Sequence, residues 1–140
     1  MMTSTRPISG EDYETLAAFR HALRRFLAFS ESAARASGLT AQQHQAILTI
    51  KGHATGGPLT IGELADHLLV RHHSAVELVD RLVQAGLVDR LKAEGDRRRV
   101  VVGLTAKAES ILADLSAIHL DELRRSRALL AQLLERLDAS

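Results

Sequence analysis

The stretch "TIGELADHLLVRHHSAVELVDRLVQAGLV", residues 60–88, decides the architecture. Thr60 and Glu63 have capping-box spacing. In that motif the hydroxyl accepts from the N–H three residues on, and the carboxylate reaches back to the cap's own N–H. A short helix follows, with Ile61, Leu64, Ala65 and Leu68 on one face. After a turn of about three or four residues the pattern restarts, with Val79, Leu82 and Val83 as the apolar stripe and Ala75 close to it. Gly86 sits just past the helix end, where a positive φ is wanted. Two short helices joined this tightly form a helix-turn-helix.

Working downstream, the period changes. Val100, Val101, Val102 and Leu104 read as a strand, and Leu87–Leu91 as its antiparallel partner. Glu94, Gly95 and Asp96 supply the turn. The loop segment "KAEGDRRRVVVGLT", residues 92–105, therefore carries Arg97, Arg98 and Arg99 at a hairpin tip. Thr105 caps a further helix with Ile111, Leu112 and Leu115 inward. Leu123, Leu130, Leu133, Leu134 and Leu137 carry the helical pattern on, with a bend expected near His119–Asp121.

Upstream, "TAQQ" at 40–43 is another capping box, opening a helix to about His53 with Ala46, Ile47 and Ile50 inward. "ATGGP" at 54–58 breaks the pattern. From Glu11 to Ala36 one long helix is expected, with Leu16, Phe19, Leu23, Phe26 and Leu27 on a stripe and Gly38 as its stop. The expected fold is mainly α with a small β-hairpin wing. It is a single domain over 1–140: a loose arm at 1–10, terminal helices at 11–37 and 106–138, and a winged helix-turn-helix at 40–104.

Composition limits the function. The 140 residues hold no cysteine, which excludes disulfides and thiolate chemistry and suits a reducing cytoplasm. No apolar run reaches spanning length, so no membrane role is expected, and the polar start "MMTSTRPISG" lacks a signal peptide's apolar block. Net charge is only +1, so any polyanion site must come from local placement.

The segments 60–90 and "DRRRVVVGLT" together resemble the MarR (multiple antibiotic resistance regulator) family of bacterial transcription regulators. The second segment is similar to the family's wing signature: Asp96, Arg98, an apolar strand, then Leu104-Thr105. The resemblance implies a dimeric DNA-binding regulator, by family default a repressor, on a near-palindromic operator in double-stranded DNA. It implies that Arg71–Glu77 enter the major groove, that Arg98 enters the minor groove, that Asp96 braces the wing, and that the terminal helices pair two subunits. It also implies a small aromatic effector; Phe19, Phe26, Phe29 and His44 are the candidates to line its crevice. Two positions depart from the pattern: Arg71 where a Ser or Thr N-cap is usual, and Ala108 where a glycine is usual.

The residues support the same chemistry by themselves. Arg71 can grip a phosphate or guanine edge; His72, His73 and Ser74 can donate; Glu77 can accept from cytosine; Arg81, a turn further on, reaches backbone. Alternatively Ser74 and Glu77 ("SAVE") cap a shorter helix, leaving "RHH" as a projecting turn. On a regular strand Arg97 and Arg99 would share one face, suited to phosphates, and Arg98 the other. A narrow A·T-rich minor groove attracts such a guanidinium. The plainer reading is a charged hairpin that protects its own edge.

No cofactor is expected, and no metal: His72 and His73 diverge on a helix, and the alternative, that His21, His44 and His119 converge near the dimer base with Glu or Asp, has no signature in the sequence. Nucleophile elbow, phosphate loop and zinc-protease patterns are all missing, so an enzyme is not expected. Leu129, Leu130, Leu133, Leu134 and Leu137 crowd the last helix and call for cover, most simply a homodimer. The rival readings are a winged module that binds protein, and a ligand-binding protein that binds no DNA.

Overall fold

The computed structural model describes residues 6–53 and 56–139, without the side chains of Asp96 and Arg97. Residues 1–5 of the expected arm and Ala54-Thr55 of the expected break lie outside it. The chain forms two compact units: Glu31–Ile118, and the residues up to Ser30 with those from His119 on. Its elements in order are α1 (Gly10–Ala36), α2 (Ala41–Gly52), β1 (Leu59–Thr60), α3 (Ile61–Leu68), α4 (His72–Gln84), β2 (Val88–Ala93), β3 (Asp96–Leu104), α5 (Ala106–Arg125) and α6 (Arg127–Ala139).

In the larger unit both expected capping boxes form. Thr40 Oγ1 accepts from Gln43 N–H at 3.1 Å while Gln43 Oε1 accepts from Thr40 N–H at 2.9 Å. Thr60 and Glu63 do the same at 3.1 and 3.0 Å. At the other end of α4, Gly86 takes φ +74, so that its N–H and that of Leu87 can turn back to Val83 O and Leu82 O. That 6→1, 5→2 pair is the glycine-terminated helix end anticipated from sequence. The core is one cluster that includes Ile47, Leu59, Leu64, Val79, Leu82, Leu87, Val88, Val102 and Leu115, all essentially without exposure. Each fully buried aliphatic side chain contributes roughly 1.5–3 kcal/mol.

The sheet has three strands, not the two expected. The order is β1-β3-β2, antiparallel throughout. Strand β1 is two residues long and pairs Leu59 with Val102 and Thr60 with Val101. Thr60 thus belongs to the sheet and also caps α3. A segment this short has no period of its own, so only the partner strand reveals it. Strand β2 runs to Ala93, two residues beyond the expected Leu91.

In the smaller unit, Ser9 and Asp12 exchange hydrogen bonds at the start of α1, and Arg6 donates to Asp12 at 2.9 Å. The Arg6 bond, with the Ser9 backbone N–H behind it, holds the Asp12 carboxyl down at about 2. The expected stripe on α1 exists but is largely uncovered within the chain: Leu16, Phe19, Leu23 and Leu27 are 46–60% exposed. The bend expected at His119–Asp121 is displaced. The α5–α6 break falls at Ser126, whose N–H is shared between Glu122 O and Leu123 O at 3.1 Å each. A shared N–H tightens one turn without needing proline or glycine. His119 instead sits inside α5, bonded to Ser30 Oγ at 2.8 Å and edge-on to Phe26 and Phe29.

Candidate nucleic-acid interface

Helix α4 buries Ala75, Leu78, Val79 and Leu82. Burial of that face fixes the opposite one. Arg71, His72, His73, Glu77 and Arg81 are exposed, and Ser74 is half-buried. Arg71 is the N-cap and makes no side-chain cap bond. The alternative start at Ser74 is ruled out, because Ala75 N–H already bonds Arg71 O at 3.1 Å and the helical ladder begins there. No acidic residue stands in the first turn of α4. The leading N–H groups and the positive end of the helix dipole are therefore left open to an anion.

The turn before α4 contains an unexpected feature. Leu69 adopts the left-handed conformation, φ 57 and ψ 42, and its side chain is 92% exposed. It closes α3 in the way a glycine commonly does: Val70 N–H reaches Ala65 O at 3.1 Å.

The wing also departs from a regular ladder. Lys92 pairs with Val100, but Ala93 pairs with Asp96. Residues 97–99 consequently have no counterparts on β2, and the three arginines form the irregular part of β3. The expected two-faced arrangement of Arg97, Arg98 and Arg99 presumed a regular ladder, whereas the backbone here is a bulge; the face that Arg97 takes lies outside the described side chains. Arg98 and Arg99 are exposed; the side chains of Arg97 and of Asp96, the expected brace, lie outside those described.

Arg99 does not simply face solvent. Its Nη2 donates to Glu63 Oε1 at 2.9 Å, the same oxygen that accepts from Thr60 N–H at 3.0 Å. The Thr60 backbone and side-chain bonds, and then Arg99, hold the Glu63 carboxyl down at about 2. A second clamp joins Arg90 of β2 to Asp80 of α4. The wing is therefore tied to both helices of the motif by ion pairs. Sequence reading found Glu63 as a cap and missed its second partner, 36 residues away. It missed Asp80 and Arg90 altogether, since neither stands in a recognisable spacing.

The expected effector residues fall in different units. Phe19, Phe26 and Phe29 belong to the smaller one, where Phe26 and Phe29 contact the His119 ring. His44 belongs to the larger, 3% exposed among its core residues. His53 and His67 meet edge-on at 5.2 Å, with His53 Nδ1–H donating to Gly57 O at 3.0 Å. Among the described residues no three His, Asp or Glu side chains gather as metal ligands. Among the same residues no helix is long and apolar enough to cross a membrane.

A helix-turn-helix followed immediately by an arginine-bearing β-wing defines a winged helix-turn-helix protein. The MarR family model matches residues 37–99, the span from α2 into the wing. Over those residues, somewhat under half of its length, the chain is similar to the MarR family. An uncharacterised HTH-type transcriptional regulator of Bacillus subtilis, YcgE, is 39% identical over 94 residues, which cover 66% of this chain and 59% of the relative. The chain thus matches somewhat over half of that relative's length. AbsC, a MarR family transcriptional regulator from Streptomyces coelicolor, has a similar fold: TM-score 0.74 at 20% identity, covering 96% of this chain and 92% of that one. So has a mutant of Staphylococcus aureus MepR bound to an oligodeoxyribonucleotide, with TM-score 0.67 at 20% identity, covering 91% and 96%.

Proposed function

We propose that this chain is a sequence-specific DNA-binding transcription regulator, acting as a homodimer on a near-palindromic site and, following its family, as a repressor. The observation that carries this reading is the first turn of α4. Arg71, His72 and His73 stand exposed around an uncapped helix start with no acidic residue in that turn. Such an end accepts phosphate or base-edge oxygens without rearrangement. Ser74, Glu77 and Arg81 extend the reading surface along the helix. Arg97 and Arg98 in the wing bulge supply the cationic tip, with Arg98 assigned to the minor groove. Asp96 braces that tip. The MepR mutant supports the reading, since a chain of this fold is found with an oligodeoxyribonucleotide.

The protein works by binding rather than catalysis, in the cytoplasm where the chromosome lies, and a small aromatic effector releases it. Footprinting on the duplex upstream of its own gene, with and without aromatic carboxylic acids, tests the whole reading. Protection of two half-sites about one helical turn apart is expected. Affinity should fall steeply with salt, log K against log salt having a slope near −0.9 for each phosphate engaged. Arg98→Ala should weaken binding selectively where A·T-rich flanks are present. Binding that ignores both salt and sequence would exclude this function.

A further inference from the structure

We propose that Arg99 serves DNA binding through Glu63 and not by touching DNA: it cancels a carboxylate that the fold places at the start of the helix-turn-helix, and it moors the arginine bulge there. This rests on the DNA-binding reading.

Three observations converge. Glu63 stands in the first turn of α3, and as the capping-box residue it cannot swing away without giving up the Thr60 N–H bond at 3.0 Å. The carboxyl titrates near 2, so it is an anion at every pH at which duplex DNA is stable. In a helix-turn-helix the first helix crosses the phosphate backbone, so an anion at its leading end opposes a polyanion. Among the described side chains the fold brings a compensating charge to it: Arg99 Nη2, 2.9 Å from Glu63 Oε1.

The chain can deliver that charge because β3 is irregular there. The ladder passes from Lys92↔Val100 to Ala93↔Asp96, so the segment 97–99 is not bound to β2 in register. At the same time Thr60↔Val101 fixes the strand two residues beyond Arg99 beside the very residue that Glu63 caps. Arg99 is thereby committed to α3. The assignment differs from that of a phosphate-binding arginine in a measurable way: its value depends on the presence of Glu63.

The experiment is a double-mutant cycle on the upstream duplex, with affinity measured by fluorescence anisotropy over a salt series. Glu63→Gln is the useful partner, because glutamine at this position keeps the capping box and removes only the charge. Arg99→Gln should weaken binding about fivefold, the scale of one unscreened charge near a phosphate path. Arg99→Lys should stay near wild type. The double variant Glu63→Gln/Arg99→Gln should recover most of the lost affinity, with the salt slope of the wild type. Urea midpoints for all four chains separate binding from folding.

If Arg99 contacts phosphate, the double variant stays weak and its slope drops by about 0.9; that result overturns the proposal. So does wild-type affinity in Arg99→Gln alone. A wild-type chain that binds no duplex at any salt is a different result, and removes the DNA reading itself.

Discussion

At the scale of single residues, two side chains hold conformations or charges that their type does not favour. Leu69 sits at φ 57 with its side chain 92% exposed, so it gains little from burial to offset the left-handed backbone. That conformation costs an ordinary L-residue ~1–2 kcal/mol, while asparagine visits it routinely. Leu69→Asn should therefore raise stability by about 0.5–1 kcal/mol. Leu69→Gly should raise it less, because glycine also loosens the unfolded chain. A urea titration with unchanged m-value checks both; a loss of stability in Leu69→Asn would mean the leucine side chain is packed after all. Glu63 gives the second prediction. Its carboxyl is lowered from 4.5 to about 2 in the folded chain, by the Thr60 bonds first and Arg99 after them. The folded state thus binds fewer protons than the unfolded one between those values. The stabilisation is complete above the unfolded value and is lost as pH falls through the folded one. Between about pH 5 and pH 3 the urea midpoint of the wild type should fall more steeply than that of Glu63→Gln. Parallel curves would show that Glu63 does not carry this proton linkage.

At the scale of elements, what ends a helix matters as much as what fills it. The two carbonyls that follow α4 are satisfied from around the start of α5: Thr105 Oγ1 donates to Gly86 O at 2.7 Å, and Lys107 Nζ donates to Ala85 O at 2.9 Å. The same Thr105 oxygen accepts from Ala108 N–H at 3.2 Å, so one hydroxyl closes one helix and opens another. Thr105→Val keeps the shape and loses both bonds, and should cost about 1–2 kcal/mol. A midpoint within error of wild type would show that water replaces them. This arrangement also shows why some elements were legible from sequence and others were not. "TAQQ", "TIGE" and Gly86 carry their signals within four residues, so both capping boxes and the α4 stop could be read directly. Strand β1 exists only because Val101 and Val102 lie beside it. The wing bulge arises from how β2 and β3 slip past each other, and the strand pattern alone suggested regular alternation. Arg71, Arg98 and Glu63 could be singled out by residue type and place. The partner that Glu63 gives Arg99 required the fold.

At the scale of the molecule, the apolar surface is distributed in a way that a lone chain does not explain. Within α6 Leu133 is buried, while Leu129, Leu130, Leu134 and Leu137 are 38–63% exposed. On α1 the stripe from Leu16 to Leu27 is exposed to a similar degree. Both runs lie in the smaller unit. Repeated leucines at helical spacing without cover are what a self-complementary interface presents before its partner arrives. Pairing would also give the proposed regulator two α4 helices, and a near-palindromic site requires two readers set ~34 Å apart. Leu134→Glu/Leu137→Glu places two charges on that surface and leaves the buried Leu133 and the larger unit's core untouched. Sedimentation velocity should then show a shift from dimer to monomer at micromolar concentration. The thermal midpoint should lose its dependence on protein concentration. Operator affinity should fall much further than any single phosphate contact could explain, because each half-site would have to be filled independently. A variant that remains dimeric would move the interface elsewhere on the chain, and one that becomes monomeric yet binds the full site unchanged would show that a single winged unit suffices.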